Sequence, residues 1–224
     1  MANEKLYIPP AVTVDVAIFT VEEDQLKLLL IQRAKEPFQG SWALPGGFLH
    51  NGEETEQAAK RILQEKAGVN DVYVEQLYTF NAPKRDPRGH VLSVTYFALV
   101  PRARIVFAAS RGVQAPSLLP VQKLPKLPFD HDEIVAYALK RVRAKLEYTN
   151  TIFSLLPERF TLNQLQRTYE IILNRTMDKR NFQKKFFTLD LIRPTKQMVT
   201  GLRQRPARLY EFKKRIPIEL KRFF

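Results

Sequence analysis

Hydrophobic positions change period several times along this chain, and the changes mark its elements. Val12, Val14, Val16 and Ile18 alternate with small or polar residues and run into Phe19, the period of a strand. Glu22, Glu23 and Asp24 form a polar turn. Residues 26–31 are apolar and short enough for a second, more buried strand, so the two segments read as a hairpin. Residues 34–41 read as a loop with Pro37 and Gly40, and Gly46-Gly47 lets the chain turn where side chains would clash. From residue 58 the period lengthens. Ala59, Leu63 and Ala67 recur every four residues, which predicts a helix over 58–67 that stops at Gly68. Residues 72–80 and 91–100 return to strand character, with a basic loop at 81–90 that either closes over an anion or is an ordinary solvated loop. Residues 118–128 are proline-rich and read as a connector. Asp130 or Asp132 then caps a helix whose apolar stripe is Val135, Leu139, Val142 and Leu146.

A different pattern follows. Thr161 stands at a helix cap with Gln164 at the capping-box position, ahead of the stripe Leu162, Leu165, Tyr169 and Ile172. Asn174-Arg175-Thr176 makes a turn, and Asp178 caps a helix that buries Phe182, Phe186 and Leu189. Its remaining surface carries Lys179, Arg180, Gln183 and Lys184. That is the outline of a helix-turn-helix with a basic recognition helix. Arg203, Arg205 and Arg208 then fall between two strand-like segments and read as a basic wing that meets phosphates or a minor groove.

Charge sharpens this division. The chain has 224 residues and a formal charge of +13. Residues 151–224 hold 17 lysines and arginines against 6 acidic residues, whereas residues 1–150 are near balance with 19 against 17. The expected domains are therefore 1–150 and 151–224, and the basic one calls for a polyanion partner. With no cysteine, disulfides, zinc-thiolate sites and cysteine nucleophiles are excluded. No apolar run approaches the roughly 18 residues of a membrane span, and no secretory core follows Met1. The three histidines, His50, His90 and His131, are scattered and read as surface or hydrogen-bonding residues.

Gly47, Glu53, Arg61, Leu63, Glu65, Gly68 and Val69 are spaced as in the box of the Nudix superfamily, which this segment resembles. In that family a loop–helix–loop presents glutamates to magnesium or manganese, and the metals activate water against a diphosphate. Here Ile62 and Lys66 stand where two of those glutamates belong, leaving Glu65 alone of the three. The resemblance thus implies a degenerate box: no catalytic residues, no metal site, and Arg61 in a structural ion pair with Glu53. A ligand cleft survives this loss. Its candidate residues are Arg33, Arg85 and Arg88 for phosphate, and Trp42 either for stacking on a ring or for covering the core.

The second module adds Leu155-Leu156-Pro157, Phe160-Thr161-Leu162, Tyr169-Glu170, Asp178-Lys179-Arg180-Asn181-Phe182 and Arg205-Pro206-Ala207, with Arg85-Asp86-Pro87-Arg88-Gly89 and Phe129-Asp130-His131 in the first. The whole chain resembles the NrtR-like Nudix-related transcriptional regulators of bacteria. That resemblance implies an α/β Nudix-like α/β/α sandwich followed by an α+β winged helix-turn-helix domain. It also implies a cytoplasmic homodimeric repressor of NAD synthesis or salvage genes, bound to a double-stranded DNA operator and released by ADP-ribose or a related nucleotide, with no cofactor. Two alternatives stay open: a Nudix hydrolase of ADP-ribose with a DNA-binding appendage, and a regulator answering to a sugar such as arabinose.

Overall fold

The computed structural model describes residues 8–107, 113–199 and 206–220. Strands β1 (Ala11–Glu22) and β2 (Gln25–Arg33) form the expected hairpin, joined by Glu23 and Asp24, both at positive φ. Two short strands, β3 (Trp42–Ala43) and β4 (Gly46–Phe48), precede helix α1 (Thr55–Ala67). Strands β5 (Val74–Phe80), β6 (Val91–Leu99) and β7 (Val113–Pro120) complete one sheet, and helix α2 (His131–Tyr148) follows. The main strand path is β3-β2-β1-β6-β5, with β4 paired to β1 and β7 to β2; β1 and β6 run parallel.

Alternation along β1 assigns the two faces. Val14, Val16 and Ile18 pack with Ala58, Ala59, Ile62, Leu63 and Ala67 of α1. Ala17 and Phe19 turn the other way, toward Ile134, Val135, Ala138, Val142 and Leu146 of α2. The sheet is therefore covered by a helix on each face, the α/β/α sandwich that a period-2 strand with two apolar faces requires.

Three local expectations need correction. Helix α1 starts one turn earlier than its apolar period suggests, because Glu54 and Gln57 close a capping box ahead of the first buried residue. It ends at Gly68, with φ 63°. A Cβ there would come within 2.7 Å of the Val106 carbonyl, so glycine is required twice over. Residues 118–120, read as connector, belong to β7 and pair with β2; prolines are tolerated at such a strand end. Neither Asp130 nor Asp132 caps α2 through its side chain. Asp130 forks onto Arg85, and Asp132 Oδ1 accepts from the Leu127 amide at 3.1 Å.

The second module comprises helices α3 (Leu162–Leu173) and α4 (Lys179–Thr188) and a hairpin of β8 (Ile192–Val199) and β9 (Ala207–Phe212). Thr161 and Gln164 form the reciprocal cap at α3, and Asn174 leaves it at φ 53°. The Asp178 carboxylate accepts from the Asn181 amide at the start of α4. Tyr169, Phe182, Phe186 and Phe212 bring their rings together, with Phe182 and Phe186 stacked at 5.4 Å. This hydrophobic cluster is continuous with the α2 face of the sandwich. Polar contacts add to it: Arg143 of α2 donates to the Ile172 carbonyl at 2.9 Å, and Arg167 of α3 meets Asp24 at 3.0 Å. The two modules thus share one core.

Candidate functional site

A cleft opens at the end of the sheet where β4 meets β1 and the N-terminus of α2. Its floor is Asp15 on β1, which accepts a 2.5 Å hydrogen bond from Ser93. Gly46 crosses so close that a Cβ would fall 1.9 Å from the Asp15 carboxylate, so only glycine lets β4 lie there. The 81–90 loop folds inward, and it is anchored. Arg85 is buried and forks onto Asp130 at 2.7 and 2.6 Å. Arg88 forks onto Asp86 at 2.9 and 2.6 Å. Burial raises the proton affinity of Asp86, but side-chain and backbone hydrogen bonds from Arg88 outweigh it and hold the carboxyl below its ordinary value.

Arg33, at the end of β2, completes the ring of cations. Its Nε donates to the Pro37 carbonyl at 2.8 Å, and its guanidinium lies 4.9 Å from the centre of the Phe129 ring. Burial and the neighbouring Arg88 both push it below the usual arginine value. Phe129 adopts φ 56°, a conformation that bulky side chains rarely take, and presents its ring to Arg33 and to Arg88 at 5.7 Å. His131 is buried, and its Nδ1 accepts from the Leu44 amide at 3.1 Å; burial depresses its pKa. Of the two roles the sequence left open for it, surface or hydrogen-bonding, it takes the second, and it forms a wall of the cleft.

Arg33, Arg85 and Arg88 are thus brought together, but the forks of Arg85 and Arg88 are already held by carboxylates. Trp42 is not part of the cleft lining. It sits on β3, half-buried, and packs against the core shared with α2, the covering role rather than the stacking one. Asp15 was not singled out by sequence reasoning; Asp86, Phe129 and Asp130 entered only as parts of family motifs, Asp130 also as a helix cap, and none was given a place in the cleft. Asp15 stands at a polar position of the alternating strand, so nothing in the sequence marked it as buried.

The Nudix-like box begins in this cleft, where Gly47 and Phe48 are part of the lining, and its helix α1 packs on the other face of the sheet. Glu53 is gripped by Arg61 through both carboxylate oxygens, at 2.7 and 2.9 Å, and accepts from the His50 amide. Arg61 accordingly holds its pKa down at about 2. Glu65 is exposed, 3.7 Å from Arg61. Ile62 points into the core, 1% exposed. A divalent ion of the kind this fold family uses does not fit these donors: one carboxylate is spent on Arg61, one position is core hydrocarbon, and Lys66 adds positive charge. Among the described residues no group of three His, Asp or Glu side chains is placed to hold a metal.

The second module offers a basic face. Lys179, Arg180 and Lys184 are exposed on α4 and Gln183 is half-exposed, opposite the buried Phe182 and Phe186. Arg208 is exposed on β9. Arg203 and Arg205 lie outside the described residues.

The Nudix domain family profile matches residues 10–139, and that of the NrtR DNA-binding winged helix domain matches residues 152–212. The ADPR responsive transcriptional repressor NtrR of Acinetobacter baylyi is 38% identical over 210 residues, spanning 92% of this chain and 83% of its own length. The Shewanella oneidensis NrtR structure complexed with a 27mer DNA is 35% identical with a TM-score of 0.80, covering 90% of this chain and 93% of that one. The NUDIX domain of the same protein complexed with ADP ribose is 36% identical with a TM-score of 0.55, over 63% of this chain and 95% of that one. The chain belongs to the NrtR-type family, in which a Nudix domain is joined to a winged-helix domain.

Proposed function

We propose that this chain is a bacterial DNA-binding transcriptional regulator that answers to ADP-ribose or a closely related nucleotide. The observation that carries the reading is the union of an arginine-lined cleft and a basic helix-turn-helix through one continuous core. Helix α4 enters the major groove of duplex DNA, where its capped N-terminus and exposed Lys179, Arg180 and Lys184 meet phosphates and base edges. The hairpin of β8 and β9 lies along the backbone. Two copies bind a palindromic operator, and the effector shifts their recognition helices; the genes controlled are those of NAD synthesis or salvage, and the site of action is the cytoplasm. No helix among the described residues is long and apolar enough to cross a membrane. Selection from random duplex DNA with the purified chain is expected to return a palindrome with half-sites about one helical turn apart. Failure to enrich any motif would reject the reading.

Helix α2 is the route of control. Its first turn carries Asp130 and His131 in the cleft, and its last turns hold α3 through Arg143 and the Ile172 carbonyl. A ligand moves such an equilibrium only if it binds the two states unequally. Hydrogen–deuterium exchange with ADP-ribose is expected to change protection in α2 and at residues 149–160. A change confined to the cleft would remove α2 from the account.

Hydrolysis is not part of this function. The support is the donor set of the box, where Ile62, Lys66 and the Glu53–Arg61 pair leave Glu65 alone. With magnesium or manganese and ADP-ribose, turnover is expected at background. Robust turnover that disappears in Glu65→Gln would make the chain an enzyme.

A further inference from the structure

We propose that Arg33 is the phosphate receptor of the cleft and the residue that makes it select a phosphorylated ligand over a neutral sugar or nucleoside; this rests on the reading of the cleft as the effector site. The three arginines are not equivalent. Arg85 is buried against Asp130, and both of its forked donors are used. Arg88 is equally committed to Asp86. An incoming phosphate would find the charge of either one already offset by a carboxylate, and would bring its own charge against Asp130 or Asp86.

Arg33 is different. Among the described residues it makes no ion pair, and its polar contacts are the carbonyls of Pro37 at 2.8 Å and Lys35 at 3.4 Å. It is also drawn to the face of Phe129, worth roughly a single cation–π contact, and from beyond ion-pair distance to the carboxylates of Asp86, Asp15 and Glu36. Burial and Arg88 disfavour its charge, and an anion arriving beside it relieves both. Phe129 is the positioning residue: its ring keeps the guanidinium in the cleft. A ligand without charge can accept a hydrogen bond from Arg33 but lacks the attraction between opposite charges, and meets a site whose other cations are already paired.

Calorimetric titration of the full chain with ADP-ribose, adenosine and arabinose tests this. Wild type is expected to bind ADP-ribose far more tightly than the other two. Arg33→Gln is expected to weaken ADP-ribose by about 10- to 100-fold, the range of a charge-assisted hydrogen bond, while changing adenosine by less than about threefold. Arg33→Lys recovers part of the loss, and Phe129→Leu gives a smaller loss with the same selectivity for the charged ligand. Thermal melting confirms that each variant is folded. Equal weakening of ADP-ribose and adenosine by Arg33→Gln, or unchanged ADP-ribose affinity, overturns the assignment while leaving the effector reading standing. Wild type binding arabinose and not ADP-ribose overturns both.

Discussion

Replacing Arg180 and Lys184 together by alanine is expected to lower operator affinity by about 100-fold at physiological salt, with little loss of fold. Both side chains are exposed on α4, on the side away from Phe182 and Phe186, so removing them leaves the ring cluster intact. Each base-edge contact is worth about 1–3 kcal/mol, which sets the size of the combined effect. The single variants separate the two roles. A residue that meets phosphate weakens all sequences alike and lowers the salt slope by about 0.9; a residue that reads a base relaxes preference at one position. Unchanged affinity in both single variants would mean that α4 is not the recognition helix. Fluorescence anisotropy over a salt series provides the measurement.

The second large effect concerns the box. Restoring glutamate at position 62 is expected to destabilise the chain by on the order of 3–5 kcal/mol, because a carboxylate would enter hydrocarbon with no partner. Ile62 is 1% exposed and packs with Val14, Val16 and Leu63. Lys66→Glu, at a half-exposed position, should leave stability nearly unchanged. Neither substitution is expected to confer turnover, since Glu53 remains bound to Arg61 by two hydrogen bonds. Urea unfolding of both variants tests the difference. A stable Ile62→Glu protein that turns over ADP-ribose with magnesium would show that the core tolerates the catalytic pattern. In this chain the box helix buries hydrocarbon at position 62 and so serves as a packing element of the sheet.

Much of this arrangement was legible in the chain. The period-2 run at Val14, Val16 and Ile18 and the period-4 run at Ala59, Leu63 and Ala67 fix the sheet and its first helix because burial on one face leaves a regular trace. Thr161, Gln164, Asn174 and Asp178 mark the helix-turn-helix for an equally local reason: caps and turns depend on residues a few positions apart. The cleft was only half legible. Arg33, Arg85 and Arg88 stood out as side chains able to fork onto phosphate, yet which of them is already neutralised depends on Asp130 and Asp86. One of those carboxylates lies 45 residues away along the chain. Phe129 was visible only as part of the motif Phe129-Asp130-His131, since neither its positive φ nor its place against Arg33 follows from neighbouring residues. Trp42 was left between stacking on a ring and covering the core, because a single tryptophan in a loop-to-strand turn fits either, and the packing of β3 decides for the core.

The shared core explains why ligand and DNA belong to one account. Two independently folded modules joined by a linker would let each bind without regard to the other. Here α2 is at once a wall of the cleft and a support of α3, and Asp24 of the β1–β2 turn braces α3 from the other side through Arg167. Under the proposed route, a small shift of α2 would reach the helix pair that positions α4 through these contacts. Coupling of this kind is reciprocal, so operator DNA must weaken the effector by the same factor that the effector weakens DNA.

The most direct measurement is operator affinity of the full chain with and without saturating ADP-ribose, using DNA from its own upstream region at fixed salt. The account predicts specific binding that ADP-ribose weakens by about tenfold or more, a coupling of roughly 1–3 kcal/mol. Tight DNA binding indifferent to ADP-ribose, or no specific DNA binding at all, would contradict it.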